Sequence, residues 1–211
     1  MKLYQSVGPN PRVVTMYIAE RGLTVPRAYL DIQAGENRTL DMLARNPSGS
    51  SPFLETDGSP ALPDSLAICE YLEDHFGNSA LLGGSAAERG QTRAMMRRID
   101  QSVIVPMSNG FRSAEGLPMF QARMFCCPEA ADGNKAYARD GLIQIDTQFG
   151  AGSWLLGERF SLADILLYAF VDFGGMVGQA LPTECSNLAE WKARVAARDS
   201  AGVSANPKNG L

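Results

Sequence analysis

The feature that most constrains this chain is a change of periodicity near residue 80. Before it, short extended segments alternate with helical ones; after it, apolar residues recur almost only at helical spacing. Residues 2–6 suit a strand, and Gly8-Pro9-Asn10-Pro11 forces a turn. Val13, Val14, Met16, Tyr17 and Leu23 then share a helical face that Gly22 closes. Residues 26–30 read as a second strand, 37–44 as a short helix and 46–49 as a loop. Segments 53–55 and 61–63, divided by Thr56-Asp57-Gly58-Ser59, form a hairpin pattern, and a helix follows to about His75. That order suits a mixed sheet flanked by helices. The expected division is a first domain over 1–77, a linker over 78–86 and an all-helical domain over 87–211. Helices are expected through Arg93, Met96, Ile99 and Val103, over 130–147, 162–174 and 188–198, with an irregular stretch at 107–125 and a loose tail from Ser200.

Bulk properties exclude several classes of partner. A formal charge of −4 and a pI near 5.1 offer no general field for phosphate backbones or anionic lipid, so no nucleic acid is expected. The N-terminus lacks the apolar core of a signal peptide and no stretch is long enough to span a bilayer. The expectation is a cytoplasmic protein with no membrane partner. Cys69, Cys126, Cys127 and Cys185 show neither paired zinc spacing nor a Cys-x-x-Cys pair. No metal is expected, and the thiols read as reduced and partly buried. His75 has no serine or cysteine at an evident partner position, so it reads as a surface residue.

Three segments carry a more specific signal. Asn46-Pro47-Ser48-Gly49-Ser50-Ser51-Pro52-Phe53-Leu54 sets an Asn-Pro loop before a Pro-initiated strand. Asp64-Ser65-Leu66-Ala67-Ile68 opens a helix with an acidic residue and a hydroxyl. Amides at a helix N-terminus point outward with partial positive charge and favour a carboxylate ligand. Ser65 equally suits an ordinary helix cap. Gly157-Glu158-Arg159-Phe160-Ser161-Leu162-Ala163-Asp164 contains a capping box from Ser161 to Asp164, with Phe160 placed to staple onto Ile165, and Asp164 reads as structural.

Together, in this order, these segments resemble the glutathione S-transferase superfamily over nearly the whole chain. The resemblance implies an α/β thioredoxin-like N-terminal domain plus an all-α C-terminal domain. It implies a cis bond before Pro52, with the Ser51 backbone pairing with the cysteinyl part of glutathione. It also implies that Ser65 and its neighbouring amide hold the γ-glutamyl carboxylate, with Asp64 beside the ammonium group. Glutathione is the implied co-substrate, a small hydrophobic electrophile bound between the domains the implied second substrate, and a homodimer the implied assembly.

Members of the family place a Tyr, Ser, Cys or Asn near the first strand-to-helix turn to favour the thiolate over a thiol of pKa about 8.5. Here Asn10 is the first candidate and Ser6 the second. Asn10 also fits a helix cap with Pro11 at the first helical position. The expected activity is thiolate attack on an apolar or aromatic electrophile, or on a glutathionyl disulfide or peroxide. Alternatives are a glutathione-dependent isomerase or ether-cleaving enzyme of aromatic catabolism, or a non-catalytic glutathione-binding module.

Overall fold

The computed structural model describes residues 1–209, which pack as two compact units. One comprises Met1–Ser79 with the C-terminal segment from Ala196; the other is Ala80–Val195. The first unit opens with β1 (Lys2–Gln5), α1 (Pro9–Glu20) and β2 (Arg27–Tyr29). A 3-10 turn at Glu36–Arg38, α2 (Leu40–Arg45), β3 (Phe53–Thr56), β4 (Ser59–Leu62) and α3 (Ser65–Phe76) follow. The sheet order is β2-β1-β3-β4. β1 and β2 run parallel, as the α1 crossover requires, and β3 pairs antiparallel with both β1 and β4. The helix expected over 37–44 is split because Thr39 is extended and accepts the Met42 N–H, so that α2 starts afresh at Leu40. On one face of the sheet Tyr4 stacks on Phe53 with ring centroids 4.5 Å apart, and Leu30 joins them.

In the second unit, the irregular stretch expected over 107–125 is partly regular. α4 (Ala86–Ile99) runs without a break through a π-helical turn at Asp100–Ile104 into α5 (Val105–Ser113). Pro106 explains the turn. It has no N–H for the carbonyl of Ser102, and its ring would clash there in a regular α-helix. The displaced Ser102 carbonyl lies against Gly141, where an added Cβ would come within 2.2 Å of it. After the short α6 (Leu117–Phe120) come α7 (Ala131–Thr147), α8 (Leu162–Met176) and α9 (Ser186–Ala196).

Two buried aspartates anchor helix starts in this unit. Asp164 accepts from Ser161 N and Oγ, closing the expected capping box, and also from Leu155 N and Trp191 Nε1. Burial pushes its pKa up, and these four hydrogen bonds counter part of that rise. Asp146 accepts from Leu188 N at 2.7 Å and so caps α9 from a different helix. Phe160, beside the capping box, packs edge-on against Trp154.

The tail is ordered where looseness was expected. α10 (Asp199–Ser204) buries Ser200, Ala201 and Ser204 and packs on α1. The Arg198 guanidinium grips Glu20 with two 2.7 Å bonds, and Ser200 donates to the same carboxylate. Gln5, fully buried, donates to Pro207 O. Burial disfavours the Glu20 carboxylate, but hydrogen bonds from Arg198 and Ser200 outweigh it and lower its pKa. The stability this contributes is complete above the usual carboxylate range and is lost as pH falls through the lowered value. The sequence boundary that assigned everything after 87 to the helical domain therefore misses this return to the first unit. The last two residues of the expected tail lie outside the described residues.

Gly141→Ala should lower stability by about 1–3 kcal/mol in urea unfolding, because overpacking against a carbonyl outweighs the roughly 1 kcal/mol helix preference of alanine. Gly133→Ala, on the same helix with nothing within 4 Å, should be neutral or stabilising.

Candidate functional site

The first unit brings α1 and α3 side by side, and of the expected site residues Asn10 and Ser65 meet at their N-terminal ends. α3 is capped by Asp64, not by Ser65. The Asp64 Oδ1 accepts from Leu66 N and Ala67 N, both at 2.9 Å, while the Asp64 carbonyl accepts from Ile68 N at 2.9 Å. The amides of the second to fourth helical positions are thereby used, and the Ser65 N–H remains for a ligand. Ser65 occupies the first helical position and is 4% exposed; its hydroxyl donates to Asn10 Oδ1 at 3.2 Å, across 55 residues of sequence.

α1 begins two residues earlier than the Asn-Pro pattern suggests. Gly8 is the residue before the helix, with φ 123° and no side-chain cap, and Arg12 N bonds back to Gly8 O. Glycine alone is at ease with that φ. Pro9 and Pro11 fill the first and third helical positions without an N–H, so Asn10 supplies the single backbone donor among those three. Its side chain is then not consumed as a cap. The bond from Ser65 holds Oδ1, which turns the Nδ2 donor end of the amide elsewhere.

Ser6 takes no part in that contact. It is 1% exposed, and its Oγ is buried with no hydrogen-bond partner. The Ser51–Pro52 bond is cis, as the resemblance implies, and leads directly into β3. Ser51 Oγ is likewise buried without a partner.

Side chains for which the sequence suggested no positioning role hold this edge in place. Asn46, buried, donates to Ser50 O at 3.0 Å and accepts from Ser48 Oγ at 2.7 Å. Asn37 donates to Gly49 O at 2.6 Å, and Ser50 Oγ reaches Pro63 O just before Asp64. The signal for Asn46 was present, since Asn before Pro in a Ser/Gly loop is a side chain able to replace backbone partners. Asn37 gave no comparable signal.

His75 is exposed and stacks on Tyr71. All four cysteines are free, with Cys69 and Cys185 buried. Among the described residues no helix is long and apolar enough to cross a membrane.

With this geometry, the family is defined by sequence as well as fold. The profile described as glutathione S-transferase, N-terminal domain, matches residues 7–75, and that for the C-terminal domain matches 130–199. Glutathione S-transferase 2 of Saccharomyces cerevisiae is 28% identical over 195 residues, covering 92% of this chain and 84% of the relative. Maleylacetoacetate isomerase of Pseudomonas aeruginosa is 30% identical over 167 residues, covering 76% of each chain. The crystal structure of a glutathione S-transferase domain-containing protein from Marinobacter aquaeolei superposes with a TM-score of 0.87 at 33% identity, over 95% of this chain and 99% of that one. The chain belongs to the glutathione S-transferase superfamily, and at family level its co-substrate is glutathione.

Asp64→Ala should destabilise the protein by about 1 kcal/mol and Asp64→Asn by only a few tenths, read from urea unfolding. A larger loss in Ser65→Ala than in Asp64→Ala would return the cap to Ser65.

Proposed function

We propose that the protein is a glutathione transferase whose thiol-activating donor is the side-chain amide of Asn10. The observation that carries this reading is the hydrogen bond from Ser65 Oγ to Asn10 Oδ1, which fixes the amide with Nδ2 free. In this reading the Ser65 N–H, at the positive end of α3, receives the γ-glutamyl carboxylate. The ammonium group lies beside Asp64, whose Oδ2 makes none of the capping bonds. The Ser51 backbone at the head of β3 aligns the cysteinyl part. From Ser65 Oγ, the 3.2 Å contact, the width of one amide and one more hydrogen bond reach roughly 8 Å. That is comparable to an extended γ-glutamyl arm between carboxylate and thiol.

The chemistry follows from charge. As the thiol gives up its proton, negative charge gathers on sulfur, and the Nδ2 donor and α1 N-terminus favour it. The thiolate attacks an apolar or aromatic electrophile, forming a C–S bond as the leaving group departs with its electron pair. Attack on a glutathionyl disulfide or peroxide uses the same nucleophile. The family resemblance supports a homodimer as the active form.

A second reading is a glutathione-dependent isomerase, favoured by the 30% identity to maleylacetoacetate isomerase. There the thiolate adds to a double bond and leaves again, returning glutathione. Free thiol counted before and after turnover separates the two, since conjugation consumes it and isomerisation does not.

Thiolate absorbance of bound glutathione, titrated against pH, tests the role of Asn10. Asn10→Ala should raise the thiol pKa by roughly one unit and slow turnover at neutral pH, with the rate recovering as pH rises. Ser6→Ala should leave the curve unchanged. A wild-type titration curve in Asn10→Ala would remove Asn10 from the chemistry.

A further inference from the structure

We propose that the C-terminal segment is a strap that positions the turn between β1 and α1, and with it Asn10, acting through the buried side chain of Gln5. Its consequence for the thiol rests on the role proposed for Asn10. The start of α1 has little of its own to hold it. No side chain caps it, Gly8 stands at φ 123°, and Pro9 and Pro11 carry no N–H. Ser6, just before the turn, is buried with no partner for its Oγ. The bond from Ser65 reaches the Asn10 side chain but not the backbone of the turn.

The support comes from the last residue of β1. Gln5 is fully buried and uses both ends of its amide. Its Nε2 donates to Pro207 O at 2.6 Å, and its Oε1 accepts from Thr15 Oγ1 at 3.1 Å. Thr15 Oγ1 also lies 3.0 Å from the carbonyl of Pro11, the residue after Asn10. A hydroxyl has one proton to give, so Gln5 and Pro11 compete for it. While Pro207 holds the Nε2 end, the Gln5 amide keeps Oε1 toward Thr15. An amide released by Pro207 is free to turn Nε2 there instead, which sends the proton to Pro11. The tail thus sets how the first turn of α1 is hydrogen-bonded.

Pro207 is itself held in place. Asn206 accepts from Lys208 N and Asn209 N, each at 3.0 Å, Lys208 Nζ lies 4.9 Å over the Tyr29 ring, and Arg27 donates to Asn209 O at 3.3 Å. Arg12 reaches Ser204 Oγ at 3.4 Å and Ala201 O at 3.5 Å, while Glu20, at the far end of α1, holds Arg198 and Ser200. The segment is therefore tied to α1 near both ends and to β1 and β2 beside it. A displacement on the order of 1 Å at a reacting centre can cost about 100-fold in rate, so a donor carried by an uncapped helix start depends on such ties. Gln5 touches neither glutathione nor its sulfur in this account and is a positioning residue. Asp64, Ser65 and Ser51, which would bind the rest of glutathione, lie on α3 and before β3, outside the strap.

The test compares wild type with Gln5→Met, which keeps the volume and loses both bonds, in the full chain. Hydrogen exchange at the Arg12 amide, bonded to Gly8 O, should quicken about tenfold, with the Leu54 amide in β3 unchanged as the control for global unfolding. The thiol pKa of bound glutathione should rise and turnover at neutral pH fall several-fold, recovering as pH rises, with KM for glutathione within about twofold of wild type. Thr15→Val, which removes the hydroxyl, should give the same pattern and is the deciding variant if Gln5→Met does not fold. Combined with Asn10→Ala, Gln5→Met should move the titration no further, since both act through one side chain. Wild-type exchange at Arg12, equal acceleration at Leu54, or a raised KM in place of lowered turnover would overturn the proposal. If Asn10→Ala alone leaves the titration unchanged, the thiol-activating role of Asn10 fails, and exchange decides the strap by itself: selective quickening at Arg12 supports it and wild-type exchange overturns it.

Discussion

Two helices that begin side by side must each satisfy the amides of their first turn, and the first unit is organised around how they do so. In α3 the carboxylate and carbonyl of Asp64 take three consecutive donors and leave the Ser65 N–H. In α1 the same end is reached by deletion, because Pro9 and Pro11 remove two donors and leave that of Asn10. Both helix starts thus combine a positive dipole end with one unused amide, and the bond from Ser65 to Asn10 joins them. A loop held by Asn46 and Asn37 then brings the Ser51 backbone to the head of β3.

Much of this was legible in the sequence because it rests on local signals. Strands, the Asp-Gly hairpin, the α3 start and the Ser161–Asp164 box each follow from residues close together in the chain. The failures share a physical origin. The start of α1 was misplaced because Asn-Pro is a good cap pattern, yet Gly8 reaches a positive φ and lets the helix begin at Pro9. The segment from Ser200 looked loose because its anchor, Glu20, is 180 residues away. The contact between Ser65 and Asn10 was invisible for the same reason. Each residue was singled out for its own role, and their pairing depends on how α1 and α3 pack.

The helical unit uses buried charge sparingly and mostly in matched form. Asp164 and Asp146 are enclosed by donors and act as sockets for helix starts, which explains how carboxylates persist in an apolar interior. Pro106 disturbs the long helix only locally, because the π-turn receives the strain and Gly141 leaves room for the Ser102 carbonyl.

The central claim is that the Asn10 side-chain amide faces the sulfur of bound glutathione. The most direct measurement follows the Asn10 side-chain NH2 resonances by nitrogen-15 NMR while bound glutathione is titrated with base. If Nδ2 donates to the sulfur, those resonances shift with the same midpoint as ionisation of the thiol, and they do not shift with that midpoint in S-methylglutathione, which has no thiol proton to lose. Resonances that ignore the ionisation, or respond equally to the S-methyl analogue, would contradict the account and leave Asn10 as a residue that only tethers α1 to α3.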